Sequence, residues 1–282
     1  MKLETAIYDA YQKLKNNDIK SAMLDSELLM SNAINKSREF IILNLDKTIC
    51  TKDFDNFQNM VSQRKDGKPM AYLMSKKFFW KYEFFINKYV LIPRPDTEII
   101  IEQVLKMYKN KKNINLLDIG FGSGCIMLSV LKERRDFRAT GVDISNHALK
   151  VCKINAYRLG VKSRVKLFNS DIDKFTLGKY DLIISNPPYI KNLDLRYLER
   201  DVKKFEPKLA LDGGIDGISE IRKIISKSSE LIKYGGKLVL EIAHNQKHEV
   251  KELLKRNGFY INSVIKDFAK NDRCIISTKI DE

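Results

Sequence analysis

The feature that most constrains the fold is an alternation of two apolar patterns along the chain beyond residue 113. Short runs rich in β-branched residues predict strands, and longer segments of helical periodicity separate many of them. The strands are predicted over 114–119, 139–142, 165–168, 182–185, 237–242 and 274–278, and the helices over 125–133, 147–159, 218–232 and 246–257. Because such alternation requires crossover connections, it predicts an α/β domain with a mostly parallel sheet.

The first 75 residues show a different pattern, with helical spacing and no strand signals. Ile7, Tyr11 and Leu14 recur on one face of a first helix, and the periodicity of a second predicts that Leu24 and Leu28 are buried. The sequence therefore predicts a small helical domain over 1–75.

Between these parts, residues 78–92 are unusually rich in aromatic and β-branched side chains, which predicts a β-hairpin with its turn at Asn87-Lys88. We assign 76–93 to this linking hairpin and 94–282 to the α/β domain. Beyond the hairpin, two interpretations of Arg94, Asp96 and Glu98 stay open: a salt-bridge cluster at a helix start, with Asp96 or Thr97 as the cap, or a segment with a functional role.

Composition limits the function classes. The chain has 282 residues, 44% of them hydrophobic, and its four cysteines show no spacing typical of a metal site or a disulfide framework. The absence of a long apolar run predicts a soluble, cytoplasmic protein with no membrane partner. A net charge of +15 favours an acidic partner, although a lysine-rich composition explains it nearly as well.

A glycine-rich loop follows the first predicted strand of the α/β domain. Gly120, Gly122 and Gly124 let the backbone approach a ligand closely at a helix N-terminus, and Asp143 ends the next strand, where its carboxylate can accept both hydroxyls of a ribose. This combination predicts an adenosine cofactor. A dinucleotide motif would place its third glycine one position later, so the spacing favours S-adenosylmethionine over NAD.

After a further strand, Asp171 and Ile172 are placed to hold the adenine amino group and ring, although Asp171 alone is more typical of a loop cap. No metal site is predicted.

The most informative segment is Asn186-Pro187-Pro188-Tyr189, directly after an apolar strand. Two prolines stiffen the loop and leave its carbonyl oxygens unclaimed. If the Asn186 side-chain oxygen and the Pro187 carbonyl each accept one N–H of a planar amino group, they orient its nitrogen and stabilise the positive charge of alkylation. Tyr189 would pack against the planar group, so the segment predicts amino-group methylation.

Together these residues resemble class I S-adenosylmethionine-dependent methyltransferases, and specifically the peptide chain release factor glutamine methyltransferases. Most of the chain takes part in the resemblance, including segments 90–98, 205–217 and 235–242 with Gln246. It implies a Rossmann-like methyltransferase sheet with an antiparallel strand near the C-terminus. It also implies N5-methylation of the glutamine in the Gly-Gly-Gln motif of class I release factors, which supports translation termination.

The resemblance also implies roles for individual residues. The helical domain and the hairpin would grip the release factor, and the enzyme is expected to be a monomer without a stable nucleic-acid partner. Asn186, Pro187 and Tyr189 would be catalytic, and with Pro188 would bind the glutamine. The cofactor would contact Gly120, Phe121, Gly122, Ser123, Gly124, Asp143, Asp171, Ile172 and Asn186. Phe121 stands where the family usually has a small residue, and Ile172 where some members have an aromatic one.

Two other functions remain open at the level of sequence. An adenine-N6 or guanine-N2 methyltransferase would present a similar amino group to a similar loop, after base flipping. A scaffold that binds a ribosomal partner without catalysis is the other, although the intact Gly120, Asp143 and Asn186 argue against it.

Overall fold

The computed structural model describes residues 1–280, which contain eleven α-helices and nine β-strands. The helices are α1 Leu3–Lys15, α2 Ala22–Ala33, α3 Arg38–Leu43, α4 Thr51–Lys65, α5 Met70–Leu73, α6 Glu98–Met107, α7 Cys125–Glu133, α8 Asn146–Arg158, α9 Arg200–Phe205, α10 Ser219–Leu231 and α11 Lys247–Arg256. The strands are β1 Lys76–Phe79, β2 Tyr82–Phe85, β3 Asn115–Ile119, β4 Arg138–Asp143, β5 Val165–Asn169, β6 Tyr180–Ser185, β7 Ile232–Glu241, β8 Phe259–Lys266 and β9 Asp272–Lys279. None of these helices is long and apolar enough to cross a membrane.

The chain divides into two compact units. The first comprises Met1–Lys76 with Arg200–Phe205, and the second comprises Lys77–Glu199 with the residues from Glu206 onward. The first unit is helical, and its core is built from the apolar faces of α1, α2 and α4. The second unit contains the large sheet, and each unit has a hydrophobic core of its own.

The predicted inward face of α2 was wrong. Leu24 is 43% exposed and Leu28 is only half-buried, whereas Leu29 and Met30 are buried. Asp25 also faces the interior, where its carboxylate accepts a hydrogen bond from Arg64 Nε of α4 at 2.7 Å. Because a buried charge needs a partner, this ion pair rotates the helix away from the face that the apolar pattern predicted.

The second unit is a seven-stranded sheet in the order β5-β4-β3-β6-β7-β9-β8. The first five of these strands are parallel, β9 is antiparallel to β7, and β8 is antiparallel to β9. The predicted mostly parallel sheet with an antiparallel strand near the C-terminus is therefore confirmed. Strand order reverses between β3 and β6, and in such sheets ligands bind outside the carboxyl ends of the strands at this reversal.

The hairpin formed by β1 and β2 turns at Trp80-Lys81, so the prediction that it turns at Asn87-Lys88 was wrong. The chain does turn at Asn87-Lys88, but after β2, where Val90 N–H donates to the Asn87 carbonyl at 3.1 Å. Trp80 takes a left-handed φ of 57°, which is unfavourable for a bulky residue. Its backbone N–H donates to Glu98 Oε1 at 2.7 Å, and its indole N–H donates to Glu133 Oε1 at 2.9 Å. These bonds hold a conformation that the local sequence does not favour.

Candidate active site

The two segments singled out in the sequence lie side by side at the carboxyl edge of the sheet. Ile119 at the end of β3 is in register with Ser185 at the end of β6, and the Ser185 hydroxyl donates to the Ile119 carbonyl at 2.7 Å. The glycine loop follows Ile119 and Asn186 follows Ser185, so both loops begin at the reversal of strand order. Asp143 and Glu241 end β4 and β7 at the same edge.

The glycines of the loop have two different structural causes. Gly120 and Gly122 have φ of +72° and +53°, and a Cβ atom at either would meet nothing within 4 Å. Gly124 has φ of +79°, and its Cβ would lie 2.5 Å from Cys152 Sγ and 2.9 Å from Leu128 Cδ1. The first two glycines therefore leave open space in front of the backbone, whereas the third permits close packing of α7 and α8.

Phe121 points away from this open space. A Cβ on Gly141 of β4 would lie 2.7 Å from the Phe121 ring, so the ring fills the room that glycine leaves on the sheet. Phe121 is buried there, so its ring is not available to a ligand, and its carbonyl accepts from Gly124 N–H at 2.7 Å.

Asn155 of α8 ties the glycine loop to the hairpin. Its side-chain Nδ2 donates to the carbonyls of Ser123 and Phe85, both at 2.9 Å, and its Oδ1 accepts from Phe85 N–H at 2.8 Å. The side chain is fully buried and all of its polar atoms are bonded. Such a satisfied buried amide fixes the positions of the segments that it joins.

Asp143 is held in place by two backbone amides. Its Oδ2 accepts from Gly122 N–H at 2.9 Å, and its Oδ1 accepts from Ser145 N–H at 2.8 Å. Burial raises the pKa of Asp143, while these two bonds favour its charged form. The carboxylate is thus fixed next to the glycine loop, and each oxygen retains a lone pair for a further donor.

Asp118 lies one residue before the end of β3, and neither of its carboxylate oxygens has a hydrogen-bond partner among the described residues. Burial raises the pKa of this carboxyl to about 8, and the nearby Met127 backbone amide counters only part of this rise. An orphaned buried carboxyl needs an explanation, and a cationic ligand group is one.

Asp171 and Ile172 follow β5 at the same edge. The Asp171 carboxylate accepts from the Asp173 N–H at 3.1 Å and so caps a 3-10 turn. This is the loop-capping role that the sequence offers as the alternative to adenine binding. Ile172 is buried in the apolar cluster of the second unit.

In the loop after β6, Pro187 is buried, and Asn186, Pro188 and Tyr189 are half-buried. Asn186 Nδ2 donates to Thr97 Oγ1 at 3.2 Å. Within the part of the chain that the structure describes, Asn186 Oδ1 accepts no hydrogen bond. The amide oxygen is therefore available, as the methylation hypothesis requires.

The Tyr189 backbone is fixed by Gln246. Gln246 Nε2 donates to the carbonyls of Tyr189 and Gly217, at 3.0 and 2.9 Å, and Oε1 accepts from Ala243 N–H at 3.0 Å. The Tyr189 hydroxyl donates to Glu241 Oε1 at 3.5 Å, and burial chiefly raises the Tyr189 pKa to about 12. Tyr189 therefore stays protonated at neutral pH.

Glu241 is a buried carboxyl at the end of β7. Burial raises its pKa to about 7, although the Thr97 hydroxyl and the Arg273 guanidinium favour the charged form. Arg273 also pairs with Asp267 at 3.0 Å and with Asp96 at 3.7 Å. Asp96 thus pairs with the distant Arg273, and Glu98 accepts from the Trp80 backbone N–H. Thr97 makes no side-chain cap on α6. The predicted local salt-bridge cluster with its cap was therefore wrong.

The Glu241 carboxyl gives a prediction for stability. Its pKa rises from an ordinary 4.5 to about 7 on folding. Between these values the folded protein keeps a proton that the unfolded chain releases, so the free energy of unfolding falls as pH rises through about 7. Urea unfolding across this range should show that Glu241→Gln loses about 3 kcal/mol less than the wild type. Equal losses in both proteins would contradict the raised pKa.

Comparison with known proteins identifies the family. The Methyltransferase small domain model matches residues 96–215, and the PrmC N-terminal domain model matches residues 5–74. The release factor glutamine methyltransferase of Clostridium acetobutylicum is 36% identical over 99% of both chains. That of Caulobacter vibrioides is 33% identical over 96% of this chain and 94% of its own. The chain belongs to the release factor glutamine methyltransferase family.

Solved structures agree on the fold of this family member. A methyltransferase from Pyrococcus furiosus superposes with a TM-score of 0.54 at 20% identity, covering 80% of this chain and 100% of its own. The ribosomal protein L11 methylase of Lactobacillus delbrueckii gives a TM-score of 0.51 at 15% identity, covering 67% and 81%. The predicted Rossmann-like methyltransferase fold is confirmed.

The sequence patterns do not distinguish several polar residues of the candidate site in this glutamine methyltransferase family member. Thr97 was considered only as a cap, and Asp118, Asn155 and Glu241 received no role. A carboxyl in an apolar strand, as at Asp118 and Glu241, was an available signal, since burying a charge is costly. Asn155 lies in an ordinary helical pattern, and nothing local distinguishes it.

Proposed function

We propose that this protein transfers a methyl group from S-adenosylmethionine to the side-chain nitrogen N5 of the glutamine in the Gly-Gly-Gln motif of class I release factors. The observation that carries this proposal is the free Oδ1 of Asn186 beside an open glycine loop, in a chain of the release factor glutamine methyltransferase family. An available acceptor oxygen is what a planar amide nitrogen needs in order to be oriented.

The residues at the edge of the sheet fit the cofactor. Gly120 and Gly122 leave space that a Cβ atom would fill, and Asp143 presents a fixed carboxylate next to them. Asp118, two residues before Gly120, has two unpartnered carboxylate oxygens. A ribose requires acceptors and an amino acid moiety carries an ammonium group, so this set of groups matches both. We assign the adenine to Asp171 and Ile172, and backbone contacts to Phe121, Ser123 and Gly124.

When bound, S-adenosylmethionine supplies an electrophilic methyl group on a sulfonium and leaves as a neutral thioether. Asn186 Oδ1 and the Pro187 carbonyl each accept one N–H of the glutamine amide, which aims its nitrogen at the methyl carbon. As the N–C bond forms, the nitrogen becomes positive and both acceptors stabilise that charge. The nitrogen then loses one proton to water, so no basic side chain has to act before the transfer.

Pro188 and Tyr189 complete the proposed glutamine site. The Tyr189 backbone is held by Gln246 and its hydroxyl by Glu241, so its ring presents a fixed face to the planar amide. We assign recognition of the release factor beyond the glutamine to the helical residues 1–75 and to the hairpin region 76–93, and the reaction to residues 94–282.

The decisive experiment incubates the purified protein with S-adenosylmethionine and a full-length class I release factor. Mass spectrometry of the digest then locates the added methyl group, with duplex DNA and ribosomal RNA as parallel acceptors. We expect methyl on the Gly-Gly-Gln glutamine alone. Methyl on nucleic acid alone would replace the substrate assignment with a nucleobase, and no transfer to any acceptor would refute the proposed activity.

The ribose assignment predicts the effect of Asp143→Ala. Loss of a carboxylate that binds two hydroxyls should weaken S-adenosylmethionine affinity about 100-fold, since hydrogen bonds to charged groups are strong. Isothermal titration calorimetry measures this directly. Asp173→Ala is the matched control, because that carboxylate is exposed on the turn after Asp171. Unchanged affinity in Asp143→Ala would remove the assignment.

A further inference from the structure

Thr97 is the only hydrogen-bond partner of the Asn186 side chain among the residues that the structure describes. Asn186 Nδ2 donates to Thr97 Oγ1 at 3.2 Å, across 89 positions of sequence. Thr97 is 2% exposed, so water does not replace this acceptor readily. The bond joins the start of α6 to the loop after β6.

The direction of this bond matters because the two ends of an amide side chain are nearly equal in size and opposite in polarity. Rotation of the amide by half a turn exchanges its acceptor oxygen for its donor NH2 group. In the rotated state the Asn186 NH2 would face the substrate NH2, and two donors cannot bond each other. A fixed acceptor on the Nδ2 side is therefore needed to keep Oδ1 toward the substrate.

A threonine hydroxyl can also donate, so its own proton must be directed elsewhere. The buried Glu241 carboxyl accepts from the Tyr189 hydroxyl at 3.5 Å through Oε1, and its Oε2 has no hydrogen-bond partner among the described residues. The Thr97 hydroxyl favours the charged form of this carboxyl, which lowers its pKa. With its proton directed to this carboxylate, the Thr97 oxygen presents a lone pair to Asn186.

We propose that Thr97 is a positioning residue, which selects the reactive orientation of the Asn186 amide through the hydrogen bond that its Oγ1 accepts from Asn186 Nδ2. This inference rests on the proposed function, because the orientation matters only if Asn186 Oδ1 accepts an N–H of the substrate. The hydroxyl, and not the methyl group, of Thr97 is the part that acts.

The test compares Thr97→Val, which keeps the shape and removes the hydroxyl, with Thr97→Ser, which keeps the hydroxyl. We expect Thr97→Val to lower kcat for release factor methylation about 30-fold, because the Asn186 donor loses its buried acceptor. The KM for release factor and the Kd for S-adenosylmethionine should change less than threefold, and Thr97→Ser should restore most of kcat. Thr278→Val is the matched control, since that hydroxyl donates to Asn262 at the far end of β9.

A double-mutant cycle separates positioning from general damage. If Thr97 acts through Asn186, Thr97→Val should add almost nothing to the loss caused by Asn186→Ala. The proposal would be overturned if the losses in kcat of Thr97→Val and Asn186→Ala multiply in the double variant. A Thr97→Ser variant as slow as Thr97→Val would also overturn it. A Thr97→Val variant with wild-type kcat would overturn it too. Failure of the proposed function is distinguishable, because the wild-type protein itself would then leave the glutamine unmethylated.

Discussion

Asn186→Ala is expected to lower kcat for glutamine methylation about 1,000-fold, which corresponds to about 4 kcal/mol of transition-state stabilisation. The substitution removes the oxygen that orients the substrate nitrogen and stabilises its developing charge. The Pro187 carbonyl remains, so some activity above background should survive. Single-turnover measurement with release factor and radiolabelled S-adenosylmethionine is the assay of choice.

The fold should tolerate this change. Asn186 is half-buried and bonds a single side chain, so the free energy of unfolding should fall by about 1 kcal/mol or less. Asn192→Ala is the matched control, because its exposed amide donates to Asp212 Oδ2 at 3.2 Å on the segment that follows. We expect wild-type kcat there. If Asn186→Ala stays within a fewfold of wild type, the acceptor role is wrong.

The architecture was predictable because its signals are local. Strand and helix periods read along the chain give an α/β sheet, and parallel strands place their carboxyl ends at one edge. Two loops that each follow a strand, at Gly120 and at Asn186, were therefore expected at that edge. Whether the two loops are adjacent depends on the order of the strands in the sheet, which the periodicity does not specify. In the structure β3 pairs with β6, so the loops that follow these strands are neighbours.

The errors share one physical cause, which is tertiary bonding that overrides local preference. Asn87 is a better turn former than Trp80, yet the hairpin turns at Trp80 because Glu98 and Glu133 bond its two N–H groups. Leu24 lies outward because the Asp25 carboxylate must reach Arg64. Likewise, the partner of Thr97 lies 89 positions away, and no pattern within one helix turn predicts it.

Gly213 should be highly sensitive to substitution, although it bears no reactive group. A Cβ atom there would lie 2.8 Å from Tyr189 Cα, 2.9 Å from Tyr189 C and 2.7 Å from the Gly217 carbonyl oxygen. All three are backbone atoms, so no side chain can move aside. The Gly213 N–H also donates to the Ile190 carbonyl at 2.8 Å, which keeps the two segments together.

Gly213→Ala is therefore expected to push the Tyr189 backbone out of position. A displacement of the order of 1 Å in a substrate-positioning loop should lower kcat about 100-fold. Crowding in a packed region should also lower the free energy of unfolding by about 2 kcal/mol. Steady-state kinetics on release factor and urea unfolding of the same preparation measure the two effects.

Gly235→Ala is the matched control, because it separates the loss of glycine from the displacement of the loop. Gly235 has φ of +72°, and its Cβ would meet nothing within 4 Å. Alanine there should cost about 1 kcal/mol of stability through backbone strain, with kcat unchanged. If Gly213→Ala behaves like this control, the close approach of Gly213 to Tyr189 does not position the reacting loop. If kcat falls only in Gly213→Ala, methylation requires the position of the Tyr189 backbone to be fixed more closely than the displacement that one added methyl group causes.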